Sequence, residues 1–437
     1  LILSSVWYIV KKDGMRRGGR TMRFKASVRA VILGLLIGFV GFQGCADKDT
    51  SVYEPDLVPP YLPSVSEDRG RIEWTTNEDC FCLLIYGTAE GSYDHYCYNV
   101  YDGGRDHYVD LIDAEPGEYY LRILATDLAG NSSTSEELMF YVSAAPETEN
   151  LIYTMVDVGW GDCHFLEFPG GTNVMVDAGS DGSTGYDHKG DVDAFLFARG
   201  VARPSGIDYM IATHAHVDHY GGFPGNLIPR YYDTYFLAPE AASQSVWPYV
   251  ERDLDEKNVP SAGLSEGQTN LNTDFLKWDE EHDIEVKVLS SGAGRFFTEG
   301  QEGSPINCDS PVIKVSYGEV DILLTGDAEE FVEQRMIKTY GKELDCEILK
   351  VGHHGNNDAT SEEFLEWVSP RVGLIPNSLE ENDGVFDQSV INLLRDYSVD
   401  YFVSDRAYMN AGRSDDPKHG NITVITDGGT FIVSAWK

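Results

Sequence analysis

Apolar and polar positions follow two rhythms along this chain. Between residues 66 and 145, short apolar runs recur every roughly 8–15 residues. They fall at 71–74, 82–87, 108–112, 119–126 and 137–142, with Gly, Asn and Asp between them. This spacing predicts a small all-β sandwich. From about residue 150 to 437 the runs are more continuous, as in strands buried on both faces. Four of them close on residues with chemistry. Val174-Met-Val leads into Asp177-Ala-Gly179, and Ile207-Asp-Tyr-Met-Ile-Ala212 into Thr213-His-Ala-His-Val-Asp-His219. Asp321-Ile-Leu-Leu leads into Thr-Gly-Asp327, and Ile348-Leu-Lys-Val into Gly-His353-His354-Gly355. The chain therefore reads as α+β, with a β-sandwich followed by a larger layered region.

A different apolar run lies at residues 30–42. At about 13 residues it is short for a spanning helix, which needs about 20. Eight bases and one acid in residues 1–45 give that segment a net of +7. Met22 followed by Arg-Phe-Lys, then the apolar run, reads as an export signal. Residues 1–21 then read as sequence upstream of the natural start. Gly44-Cys45 at the end of the run fits a bacterial lipoprotein signal, with Cys45 the lipidated residue. Plain secretion and an uncleaved anchor are the alternatives. Residues 46–65, with Pro55, Pro59, Pro60 and Pro63, read as a stiff linker. The expected address is the cell envelope or the exterior.

The 437 residues carry 33 Lys and Arg against 72 Asp and Glu, a formal charge of −39. Removing the basic leader leaves −46 for the rest. Such a body argues against a protein that simply coats nucleic acid. It argues equally against one held on anionic lipid by basic patches. With 42% hydrophobic and 12% aromatic residues, wholesale disorder is excluded. Besides Cys45 there are six cysteines and no C-x-x-C pair, so a zinc ribbon is not indicated. Either Cys80 or Cys82 pairs with Cys97 across a hairpin, or all are buried free thiols.

Three of the 11 histidines and an aspartate fall within residues 214–219 at a strand end. Imidazole and carboxylate suit zinc or manganese. If the chain stays extended, His214 and His216 point the same way. Asp218 and His219 follow as it turns into a helix and can serve a second ion.

These motifs carry two resemblances. The stretch from Trp74 to Val142 resembles a fibronectin type III domain. The match rests on Trp74, Tyr86-Gly87, Pro116-Gly-Glu-Tyr-Tyr120 and Ala125-Thr-Asp-Leu-Ala-Gly-Asn131. It implies that Tyr120 is the corner tyrosine, and that the module spaces, docks or binds a protein partner. Residues 150–437 resemble the metallo-β-lactamase superfamily, an αββα sandwich. Within it they look like the hydrolase domain of the ComEC/Rec2 competence proteins and their free-standing secreted relatives. The carriers are Val156-Asp-Val-Gly159-Trp-Gly-Asp162-Cys-His, the four strand endings above, Asn307-Cys-Asp-Ser310 and Gly420-Asn-Ile-Thr-Val-Ile-Thr-Asp-Gly428.

That resemblance implies a site. His214 and His216 would bind a first metal. Asp218, His219 and one of His353 and His354 would bind a second, with Asp327 bridging. His353, directly after Gly352, is the favoured ligand and His354 the residue facing substrate; the reverse is the alternative. Asp177 would support the loop that presents His214. Asn307 stands where many relatives carry a third histidine, with Ser310 nearby. The implied cofactor is one or two Zn2+, with Mn2+ possible. The implied reaction is hydrolysis of a phosphodiester, with Asp218 and Asp327 orienting the attacking hydroxide. DNA and a small or envelope phosphodiester are both candidate substrates. Lys189, Arg203, Lys314, Lys350, Arg406 and Lys418 are the basic residues expected near it. Alternatives are a β-lactam or lactone hydrolase on the same fold, and a non-catalytic surface-binding protein.

Overall fold

The computed structural model describes residues 64–68, 70–99, 103–112, 114–127, 130–142, 149–182, 189–240, 248–298, 302–377, 386–404 and 420–436. The export signal, Cys45, most of the linker, Arg406 and Lys418 lie outside them.

Past residue 149, period-two alternation sorts side chains between layers. Val174 and Val176 face one core and Met175 another. Ile322 and Leu324 face the first core, and Leu323 a third. Ile348 and Leu349 divide the same way. The shared core is the space between two stacked sheets. One sheet runs Ser261–Leu264, Tyr235–Pro239, Tyr209–Ile211, Asn173–Val176, His164–Glu167, Leu151–Met155, Asn421–Thr426, Thr430–Trp436. The other runs Ile284–Ser290, Val312–Tyr317, Val320–Leu324, Ile348–Lys350, Val372–Ile375, Asp400–Val403. Helices Lys189–Ala198 and Pro248–Lys257 cover the first sheet through Phe195, Leu196, Val250 and Leu254. Helices Glu330–Tyr340, Glu362–Val368 and Gln388–Asp396 cover the second through Val332, Met336, Phe364, Leu365, Ile391 and Leu394. The order of layers is helix, sheet, sheet, helix.

Strand direction then gathers the chemistry. Asn173–Val176 runs parallel to Tyr209–Ile211, so Asp177 and the His214–His219 loop leave from the same edge. Val320–Leu324 runs parallel to Ile348–Lys350, so Asp327 and the His353-His354 turn also leave together. Ligand sites in α/β sheets form outside such carboxyl ends.

The N-terminal strands form a second sandwich. Ser64–Asp68, Arg71–Thr75 and Asp106–Asp110 make a three-stranded sheet. It packs Ile72, Trp74 and Val109 against Leu84, Cys97, Leu121 and Ile123 of the facing strands. That facing sheet is not separate. His95–Asn99 pairs antiparallel with Thr430–Trp436, from Thr430↔Asn99 to Ser434↔His95. Among the described residues, thirteen strands thus share one sheet. Leu84 and Cys97 face the small sandwich, while Ile85, Tyr96 and Tyr98 face the large core. Tyr98 stacks on Phe431 with centroids 4.7 Å apart, and its hydroxyl donates to Asp400 at 3.0 Å.

The tyrosine expectation is corrected by one residue. Tyr119, not Tyr120, donates its hydroxyl back to the chain, to Glu115 O at 2.8 Å. Alternation along Gly117–Asp127 turns Tyr119 inward and leaves Tyr120 half-buried. Of the cysteine alternatives, the buried thiols hold: no disulfide joins Cys80, Cys82 and Cys97, and all three are buried. The strand register sets Cys97 opposite Leu84 rather than opposite either cysteine. No helix among the described residues is long and apolar enough to cross a membrane.

Candidate metal centre

The first element of the centre is Asp177, fully buried and in the left-handed region at φ 58°. Its Oδ1 accepts from Thr213 N at 2.8 Å, and its Oδ2 accepts from Thr213 Oγ1 at 2.6 Å. The same Oδ2 lies 2.7 Å from His219 Nδ1. This fixes the Nδ1–H tautomer and turns Nε2 of His219 forward, the usual way a carboxylate orients a ligating imidazole. Thr213 gives its proton to Asp177, so its oxygen can accept from His214 Nδ1 at 3.1 Å. Ser310 Oγ touches the same nitrogen at 3.2 Å and accepts from Asp327 N at 3.1 Å.

The forward nitrogens meet at one oxygen. Asp327 Oδ2 lies 3.0 Å from His219 Nε2, 3.3 Å from His354 Nε2, and 3.7 Å from both His214 Nε2 and His353 Nε2. Asp218 Oδ2 lies 3.4 Å from His354 Nε2 and 3.8 Å from His219 Nε2. Imidazole nitrogens also face each other directly: His214 Nε2 and His216 Nδ1 at 3.0 Å, His219 Nε2 and His354 Nε2 at 3.2 Å. Nitrogens already protonated on their far sides, brought this close, need a cation or protons between them. Around Asp327 the donor set fits divalent metal in two clusters: His214, His216 and Asp327 form one, and Asp162, His219, Asp327 and His354 the other. A third set of possible ligands, Glu329, His353 and Asp358, lies at the rim.

Of the residues expected to bind or bridge metal, His214, His219, His353 and His354 thus surround one oxygen of Asp327, His216 groups with His214 and Asp327, and Asp218 lies beside His354 and His219. The histidine pair divides by burial. His354 is buried, with Nδ1 directed at Pro376 O at 2.9 Å. His353 is half-buried on the rim, with Nδ1 on Asp358 at 2.8 Å and Nε2 at 3.4 Å from the Asn307 amide. Asn307 donates to Glu329 Oε1 at 2.8 Å. Both histidines hold left-handed backbone, φ 45° and 54°, a conformation costly for non-glycine residues. Gly161, at φ 137°, is needed where its loop crosses the site: a Cβ there would lie 2.4 Å from Asp218 O.

The electrostatics are those of a cation trap. Burial pushes His214 and His216 well below or below the usual imidazole range. Burial acts the same way on His219 and His354, but Asp327 and Asp162 outweigh it and raise both well above that range. Burial pushes Asp218 up, yet His219 and His354 outweigh it and hold it at about 2. The carboxylates therefore stay ionised at neutral pH.

Two residues of the centre have functions the sequence reading did not assign. Asp162 is fully buried behind His219 and His354, and Lys350 Nζ sits 2.7 Å from it. Lys350 is itself fully buried, so it is not the open substrate contact expected. Charge type alone suggested a surface role; only the fold brings the two together. Lys314 is likewise occupied, by Asp321 at 2.8 Å and the carbonyls of Glu343 and Asp345. Arg203 pairs with Asp193. Cys308 is buried and lies in neither cluster.

The profile of the Metallo-beta-lactamase superfamily matches residues 156–376, half of the chain. The chain belongs to the metallo-β-lactamase superfamily. Its superfamily region is similar to ComE operon protein 3 of Bacillus subtilis, 26% identical over 266 residues. That alignment covers 58% of this chain and 31% of the relative. It is 46% identical over 220 residues to Recombination protein 2 of Haemophilus influenzae, covering 50% of this chain and 23% of that protein. The chain spans less than a third of the length of these curated relatives. Among solved structures, CmlA, a diiron beta-hydroxylase from Streptomyces venezuelae, aligns over 76% of this chain and 75% of that one. The TM-score is 0.39 and the identity 12%.

Proposed function

We propose that the chain is a metal-dependent phosphodiesterase. The observation that carries this reading is the convergence of His214, His219, His353 and His354 ring nitrogens on Asp327 Oδ2, within 3.0–3.7 Å. His214, His216 and Asp327 would hold one divalent ion, and Asp218, His219, His354 and Asp327 a second. Zinc suits this nitrogen-rich set, with manganese an alternative. When bound, such ions supply an activated water and neutralise charge on a phosphoryl group.

The chain's own residues do the rest. Asp177 and Ser310 fix the imidazoles of His219 and His214. Asp218, held ionised at neutral pH by His219 and His354, would orient an attacking water by accepting a hydrogen bond from it. Burial of His354 and its Pro376 contact support taking it as the ligand. The half-buried His353 then faces substrate from the rim.

For the substrate, the similarity to competence and recombination proteins brings DNA into view. The −46 body and the occupied lysines support a small or envelope phosphodiester instead. The site would work outside the cytosol, with Cys45 as a lipid anchor. The N-terminal strands, in two sheets with a tyrosine corner, support a fibronectin type III-like module that docks a partner.

The test is hydrolysis of bis(p-nitrophenyl) phosphate by protein loaded with Zn2+ or Mn2+, beside linear DNA. Turnover of the small diester, loss with a chelator, and a loss in His216→Ala larger than the about 10–100-fold typical of a supporting residue are expected. No turnover of either substrate by metal-loaded protein overturns the phosphodiesterase reading. Cutting of DNA at comparable rates overturns only the substrate preference.

A further inference from the structure

The superfamily ligands account for the front of the metal centre but not for what stands behind it. His219 and His354 each present opposite nitrogens to two carboxylates. Both Nε2 atoms face Asp327, at 3.0 and 3.3 Å. Behind their nearer partners, Asp177 for His219 and Pro376 O for His354, both Nδ1 atoms also lie close to Asp162: that of His354 is 3.2 Å from Oδ1, that of His219 3.7 Å from Oδ2. His164 Nε2 reaches the same carboxylate at 3.4 Å, and its Nδ1 meets the Tyr153 hydroxyl at 3.1 Å. Asp162 is therefore a buried hub on the far side of the rings. Its contacts with the rings are on their Nδ1 side, opposite the Nε2 atoms that face Asp327.

Lys350 decides which way the hub faces. Its Nζ lies 2.7 Å from Asp162 Oδ2, donates to Gly326 O at 2.6 Å, and stands 3.5 Å from Asp327 Oδ1. One buried ammonium thus joins the loop carrying Asp162 to the turn that presents Asp327. It also sets a buried positive charge between two carboxylates, Asp162 and Asp327.

We propose that the buried Lys350–Asp162 pair is the positioning device of the second metal site: Lys350 keeps Asp162 out of the ligand set and against the backs of His354 and His219. This rests on the metal reading above. Asp162 and Lys350 are positioning residues; neither touches substrate.

The test measures Zn2+ affinity by competition with a chromophoric chelator in the wild type, Asp162→Asn, Lys350→Met and the double variant. The visible spectrum of the Co2+-loaded proteins, which reports ligand geometry, is recorded alongside. Each single variant is expected to bind Zn2+ 10–100-fold more weakly, the usual loss when a group orienting a ligand is removed. The two should shift the Co2+ spectrum alike, and the double variant should be no weaker than the weaker single, because the pair acts as a unit. Wild-type affinity in Lys350→Met, or losses that multiply in the double variant, overturn the proposal. Should Lys350→Met not fold, the double variant buries no unpaired charge, and its comparison with Asp162→Asn decides. Equal affinity supports the pair, and a further tenfold loss overturns it. A wild type that binds no Zn2+ instead brings down the metal reading itself, and this inference with it.

Discussion

Asn307 is the residue that the sequence resemblance sets where many superfamily members carry a third histidine for the first metal site. It is buried, with its amide nitrogen on Glu329 and 3.4 Å from His353 Nε2. Two histidines and a shared aspartate make a weaker zinc set than three histidines. Asn307→His is therefore expected to raise the zinc retained at limiting metal towards two per chain, measured by elemental analysis after gel filtration. An unchanged ratio means the asparagine does not limit the first site. Single residues were legible in the sequence where a strand ended on them, as with Asp177, His214 and Asp327. Asp162 and Lys350 were not, because a buried ion pair leaves no periodic trace. Tyr119 was missed for its neighbour because two adjacent tyrosines differ only in which face of the strand they occupy.

The Gly352–Gly355 turn is the least comfortable element of the centre, with two consecutive non-glycine residues in left-handed backbone, each costing about 1–3 kcal/mol. Neighbouring elements hold it there. Glu333, on helix Glu330–Tyr340, accepts from Thr360 N and Ser361 N. Thr360 Oγ1 accepts from Gly352 N at 3.0 Å, and Asn377 donates to His354 O at 2.8 Å. Burial raises Glu333 from 4.5 to about 7, despite the N–H groups it accepts from. The folded state then binds this proton more tightly than the unfolded chain. The stabilisation is complete below about pH 4.5 and is lost as pH rises through about 7, roughly 3 kcal/mol at most. Glu333→Gln, with metal chelated, should flatten the fall in thermal midpoint between these pH values relative to wild type. Parallel pH curves would place the dependence elsewhere. The strands bearing the site were legible from their apolar runs. This strut was not, since a glutamate on a helix reads as solvated until the fold buries it.

At the scale of the whole molecule, the small sandwich and the metallo-β-lactamase layers share a sheet. The sequence rhythm marked a change near residue 145 and so suggested neighbours joined in series. It could not show that His95–Asn99 pairs with a strand more than 300 residues away, because pairing partners leave no local mark. Tyr98 sits at the seam, 2% exposed, between Phe431 and Asp400. Removing a large buried ring costs about 3–5 kcal/mol. Tyr98→Ala should therefore lower the melting of the sandwich and the metallo-β-lactamase layers together, in one calorimetric transition. Two separated transitions in wild type would show that the seam does not couple them.

The same seam bears on how the molecule is made. His95 Nδ1 lies 2.6 Å from Ser434 Oγ, a contact spanning 339 residues of chain. During synthesis the edge strand His95–Asn99 emerges long before its partner, with its pairing groups bare and Tyr96 and Tyr98 uncovered. An open apolar edge is a template for mispairing, and pairings so distant close slowly. Slow closure therefore leaves the shared sheet incomplete until Asn421–Thr426 and Thr430–Trp436 have been made.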